Sequence, residues 1–94
     1  MNKSISITEL KKILQPNVNL IDIRNATSYK LGNIPYSKNI SKNELMFNPE
    51  KYLNKNKVYY IYCSKGIQSR TLVNYLNNNG YHTVNIIGGY SSYK

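Results

Sequence analysis

One cysteine, one histidine and four acidic residues are nearly all that these 94 residues offer of the side chains used in catalysis and metal binding. A lone Cys63 excludes an internal disulfide. It also excludes an all-cysteine zinc site and an iron–sulfur cluster, which need several thiolates. Asp22, Glu9, Glu44, Glu50 and His82 complete a short list of metal ligands, so neither a metal nor another cofactor is expected. A Ser–His–Asp hydrolase would have to be built on His82, and a two-carboxylate glycosidase would have few acids to choose from. The N-terminus lacks the apolar run of a signal peptide, and no segment approaches the roughly 20 apolar residues of a membrane span. A cytoplasmic protein without membrane contact is therefore expected, and a free thiol suits a reducing compartment.

Basic residues are abundant: 13 Lys and Arg against 4 Asp and Glu leave a formal charge of +9. The eleven lysines are scattered and form no run of like charge, so neither a basic tail nor a nucleic-acid partner is indicated. Fifteen asparagines accompany them, a composition that codon bias alone can produce. Length is sufficient for one domain, residues 1–94, with a small core.

Ser6-Ile7-Thr8-Glu9 has the spacing of a capping box, followed by Leu10, Ile13 and Leu14 on one helical face. Pro16 stops that helix, and Ser4–Ile7 before it can form a small edge strand. Val18–Ile23 is short, apolar and Ile-rich, as in a buried strand. Asn25 caps a helix through Tyr29 and Leu31, with Gly32 as its C′ residue. Asn39-Ile40 can form a minimal strand, and Ser41-Lys42-Asn43-Glu44 is a second capping box. Val58–Tyr62 is β-branched and aromatic throughout. After it come a loop, a helix opening near Ser69 with Leu72, Val73 and Leu76 on one face, a strand over Thr83–Ile87, and a Gly88-Gly89 turn. Strands alternating with helices predict an α/β fold with a largely parallel sheet, whose ligands bind at the carboxyl ends of the strands.

Cys63 stands at such an end, between a strand and a helix N-terminus. Loop amides turned inward make an anion-binding nest, and the helix terminus adds about half a positive charge. Both favour the thiolate, which is the nucleophilic form. Lys65 and Arg70 can add charge, and Gly66 allows a backbone angle that side chains resist. The competing reading of Cys63 is a small core hydrophobe, and that of Lys65 a solvated surface lysine. His82 reads as a surface residue at the far end of the sheet. Tyr59, Tyr60 and Tyr62 read as strand formers before any base-stacking platform.

These segments together resemble a single-domain rhodanese, a sulfurtransferase module. Leu20-Ile21-Asp22-Ile23-Arg24 resembles a strand ending in Asp-x-Arg. Tyr29-Lys30-Leu31-Gly32-Asn33-Ile34-Pro35 is similar to a Tyr-x-x-Gly-His-Ile-Pro motif. Tyr62-Cys63-Ser64-Lys65-Gly66 resembles the active-site loop, and Gly88-Gly89-Tyr90-Ser91-Ser92-Tyr93 the closing Gly-Gly-x-x-x-Trp segment. The resemblance covers about residues 4 to 94. It implies a rhodanese-like, five-stranded, mainly parallel sheet with helices on both faces. It implies that Cys63 takes a sulfane sulfur from thiosulfate or a persulfide and passes it to cyanide or a thiol, a partner protein's persulfide being one possible donor. Ser64, Lys65, Gly66, Ile67, Gln68 and Ser69 form the substrate loop, with Asp22, Arg24 and Arg70 as supports.

Three positions depart from that pattern. Gln68 stands where the family often has an arginine, Asn33 where it has histidine, and Tyr93 where it has tryptophan. Without the loop arginine, a neutral or thiol-bound donor fits better than thiosulfate. Position 69, where related phosphatases and arsenate reductases carry the arginine of Cys-x5-Arg, is Ser, so an oxyanion would lack a bidentate partner. With one cysteine, the sulfur must leave to an external acceptor. The alternatives are a non-catalytic rhodanese-like module that binds a protein partner and, from the pI of 9.7 alone, a nucleic-acid binder.

Overall fold

The computed structural model describes residues 3–94. The short edge strand β1 (Ser4–Ile5) leads into α1 (Ile7–Ile13). Ser6 caps α1 with the expected box: its hydroxyl accepts from the Glu9 amide and the Glu9 carboxylate accepts from the Ser6 amide. Strand β2 (Leu20–Asp22) is shorter than the apolar run, but backbone bonds to β4 (Val58–Tyr62) continue at both ends, from the Tyr60 amide to Asn19 and from the Ile23 amide to Tyr62. Helix α2 (Ala26–Leu31) is capped by Asn25, whose side chain accepts from the Ser28 amide.

Gly32 ends α2 in extended backbone rather than the left-handed geometry expected of a C′ glycine. Its missing side chain matters for another reason: a Cβ there would collide with the Tyr90 hydroxyl. The Asn33 side chain donates to the Tyr29 carbonyl at 2.9 Å and so satisfies a last-turn acceptor of α2.

Strand β3 (Ser37–Asn39) begins two residues before the Asn39-Ile40 pair. Ser41 caps α3 (Lys42–Phe47), but the second capping box is only half made, because the Glu44 carboxylate accepts from the Tyr52 hydroxyl instead. Tyr52 lies in a helical turn absent from the sequence reading, α4 (Pro49–Tyr52), which opens with Pro49 where a missing N–H costs nothing. Strand β4 occupies the expected residues. Helix α5 (Ile67–Asn78) begins two residues before Ser69, with Gly66 as its N-cap. Strand β5 (His82–Ile86) begins one residue early, which places exposed His82 at its amino end beside Val58. Gly88-Gly89 is more than a turn, since it opens a last short helix, α6 (Gly89–Tyr93).

All strand pairs are parallel, in the order β1-β5-β4-β2-β3. Period-two alternation divides β2 and β4 between two cores. Ile21, Ile23, Tyr59, Ile61 and Cys63 face Leu72, Val73 and Leu76 of α5 and Leu45 of α3. Leu20, Tyr62 and Ile86 face Ile7 and Leu10 of α1, with Tyr90 and Tyr93 of α6 packed alongside. Helices therefore cover both faces, as expected. No helix among the described residues is long and apolar enough to cross a membrane.

Candidate functional site

The carboxyl ends of β2, β4 and β5 deliver Arg24, Cys63 and the Gly88-Gly89 pair to one edge of the sheet. Cys63 follows β4 on the side facing α5, so its sulfur lies beneath the first turn of that helix. The loop reverses direction at Gly66, at φ 88°, in the left-handed region that favours glycine. This turn brings the Gly66 amide to 3.2 Å and the Ser69 amide to 3.3 Å from Cys63 Sγ, both donating to it. The Ser69 hydroxyl is 3.2 Å from the same sulfur.

Burial pushes the Cys63 thiol up. The Ser69 hydroxyl and the backbone amides of Ser69, Gly66 and Lys65 outweigh burial and leave it below the ordinary 9.0. Donors pre-aimed at an anion stabilise thiolate over thiol.

The loop is also held from outside. The Tyr90 amide donates to the Cys63 carbonyl at 2.9 Å and the Ser91 amide to the Ser64 carbonyl at 2.9 Å. Gly89 permits this close approach, since a Cβ there would run into the Cys63 carbonyl and the Ser64 backbone. The closing Gly-Gly segment is therefore part of the wall that fixes the cysteine loop.

Asp22 and Arg24 form a second unit on the opposite face. Asp22 is fully buried and meets Arg24 through two guanidinium nitrogens, at 3.1 and 2.8 Å, and through the Arg24 amide at 2.8 Å. The guanidinium also donates to the Gly32 carbonyl at 2.6 Å and lies 4.1 Å from the centre of the Tyr90 ring. The hydrogen bonds to Asp22 raise the Arg24 pKa above its ordinary value. This pair ties β2 to the end of α2 and to α6. Beside it, buried Tyr62 takes the Ile34 amide on its hydroxyl, 3.1 Å from the Ser37 hydroxyl, and burial raises its pKa.

A cavity of 420 Å³ lies beside the cysteine loop. Cys63, Ser64, Lys65, Ile67 and Gln68 line it together with Arg24. Ser69 lies beneath, fully buried, and Gly66 contributes its amide from the loop. Of the expected supports, Asp22 acts through Arg24, while Arg70 is exposed and does not line the cavity. Ile23, Asn25 and Ser28 complete the wall; in the sequence Ile23 reads only as a strand residue and Asn25 only as a cap, and nothing there singles out Ser28. A larger cavity of 730 Å³, near β2 and β3, contains none of the expected site residues. No group of three or more potential metal ligands occurs among the described residues.

Asn85 escaped the sequence reading. It is buried on β5, and its side chain meets Ser69 and Gly66. The available signal was alternation: Thr83 and Asn85 place two polar residues on the strand face that α5 covers, amid apolar neighbours.

Comparison with known proteins identifies the family and the fold. A family model described as the rhodanese-like domain matches residues 6–94. YtwF of Bacillus subtilis (strain 168), a protein named as a sulfurtransferase, is 34% identical over 91 residues, covering 93% of this chain and 85% of that protein. The tRNA sulfurtransferase of Blochmanniella pennsylvanica (strain BPEN) is 32% identical over 90 residues, 92% of this chain but 18% of that protein. The crystal structure of SSP1007 from Staphylococcus saprophyticus superposes with a TM-score of 0.88 at 40% identity, covering 98% of this chain and 93% of that one.

Proposed function

The chain belongs to the rhodanese-like domain family, and from this and the surroundings of its one cysteine we propose that it is a sulfurtransferase in which Cys63 carries the sulfur. The observation that carries the reading is the pair of backbone amides aimed at Cys63 Sγ, at 3.2 and 3.3 Å, on the wall of an open cavity.

The Cys63 thiolate attacks the outer sulfur of the donor. A sulfur–sulfur bond to Cys63 forms as the donor's bond to that sulfur breaks. The electron pair leaves with the donor, as a thiolate from a persulfide or as sulfite from thiosulfate. An acceptor thiolate then attacks the outer sulfur of the Cys63 persulfide and takes it, and the electron pair of the broken bond restores the Cys63 thiolate. The same amides hold the Cys63 thiolate as nucleophile in the first half-reaction and as leaving group in the second.

Charge selects the donor. Lys65 lines the cavity, whereas the Arg24 charge is already met by Asp22, and Gln68 brings no charge. A persulfide donor, with its single charge, suits this rim better than the dianion thiosulfate. The acceptor is a small thiol or a protein thiol.

The test is steady-state sulfur transfer from a persulfide donor to a thiol acceptor, with wild type beside Cys63→Ser. Loss of transfer in the variant supports the reading. Full transfer by Cys63→Ser overturns it, and failure of wild type with persulfide, polysulfide and thiosulfate alike selects the non-catalytic partner-binding module.

A further inference from the structure

The Ser69 hydroxyl has two neighbours and one proton. It donates to Asn85 Oδ1 at 2.5 Å while its oxygen stands 3.2 Å from Cys63 Sγ. A hydroxyl with its only hydrogen committed elsewhere can accept from a thiol, and it donates to a thiolate only by giving up that other bond. Asn85 is held in the orientation that makes this claim. Its Nδ2 donates to the Gly66 carbonyl at 3.4 Å, and turning the amide over would set its oxygen against that carbonyl.

We propose that Asn85 is a positioning residue that competes with the Cys63 sulfur for the single proton of the Ser69 hydroxyl. In the thiol state the S–H points to the Ser69 oxygen, and the Ser69 proton rests on Asn85. When the thiolate forms, the Ser69 proton turns to sulfur and Asn85 Oδ1 loses its donor. Asn85 thereby keeps the thiolate less stabilised, and so more nucleophilic, than three full donors would leave it.

No other group near the sulfur accounts for such a link. Lys65 and Arg24 line the cavity, and Arg24 is neutralised by Asp22 on the opposite face of β2. Arg70 is exposed on α5. Between Thr83 and Ile86, β5 has no titratable side chain, and its His82 lies at the far end.

The proposal rests on Cys63 being the nucleophile, but its test needs no sulfur transfer. The rate of iodoacetamide alkylation is followed against pH for wild type, Asn85→Leu, Ser69→Ala and the double variant. Asn85→Leu frees the Ser69 proton for sulfur, so the alkylation midpoint falls by about half to one pH unit. In the Ser69→Ala background, Asn85→Leu leaves the midpoint in place. If Asn85→Leu does not melt cooperatively, Asn85→Val, better suited to a strand, takes its place in both backgrounds. An unchanged or raised midpoint with Ser69 present overturns the proposal, as does an equal fall with Ser69 absent. Failure of sulfur transfer with the pattern intact would count against the proposed function and not against this link.

Discussion

Replacing Gly66 by alanine tests the geometry of the loop with one methyl group. At φ 88° a residue with a Cβ is in the left-handed region, at a cost of about 1–2 kcal/mol. The new Cβ would stand 2.8 Å from the Gly88 nitrogen and 3.3 Å from the Ile86 carbonyl oxygen. Both are backbone atoms, one at the end of β5 and one in the turn after it, so neither can swing aside as a side chain could. Overpacking of this kind costs about 1–3 kcal/mol. The lower entropy of the unfolded alanine chain returns about 0.4–1 kcal/mol. The net expectation is a loss of about 2–4 kcal/mol, which lowers Tm by roughly 10–25 °C in a chain of this size. The substitution also acts on chemistry, because the Gly66 amide is one of the two that donate to Cys63 Sγ. A backbone shift large enough to relieve the contact lengthens that bond, so the alkylation midpoint of Cys63 rises. Thermal melting and the pH profile of alkylation read the two effects separately. A variant with wild-type Tm and wild-type midpoint would refute both the packing argument and the role given to the loop amides.

Other perturbations reach the rest of the account. Gln68→Arg places a guanidinium on the cavity rim, and kcat/KM for thiosulfate should rise by about tenfold or more, with a smaller change for a persulfide donor; equal gains would mean that rim charge does not select the donor. Tyr62→Phe strands the Ile34 amide in the core and should cost about 1–3 kcal/mol in denaturant unfolding, with little effect on the Cys63 midpoint. Because folding lowers the Cys63 pKa, the thiolate adds stability that is fully present above the unfolded-state value and is lost as pH falls through the folded-state value. The pH dependence of unfolding free energy in that alkaline window should therefore flatten in Cys63→Ser, and an unaltered slope would contradict the shift.

What the sequence makes legible depends on whether a segment's structure is local. Val58–Tyr62 is apolar, β-branched and aromatic, and it forms β4 over those residues. The Ser6 capping box is four residues long and closes on itself. By contrast, the start of α5 is set by Gly66 turning into the left-handed region, a tertiary demand of the loop; of the two places its residue type allows, N-cap or first turn, Ser69 takes the first turn, with its side chain against sulfur. Glu44 fits a capping box by spacing, but Tyr52 from the next helical turn takes its carboxylate. The cysteine and its loop were readable from residue type and order, and the Asp22–Arg24 support through the family resemblance. Asn85 was not, because its meaning comes from what lies across α5, and within its own strand it is only a polar residue between Val84 and Ile86.

The most direct measurement is the intact mass of the protein after exposure to a persulfide donor. Because Cys63 is the only cysteine, a mass gain of one sulfur atom that is absent in Cys63→Ser and discharged by a thiol acceptor is the predicted result. No gain with persulfide, polysulfide or thiosulfate donors, or a gain that survives in Cys63→Ser, would contradict the claim that this cysteine carries sulfur.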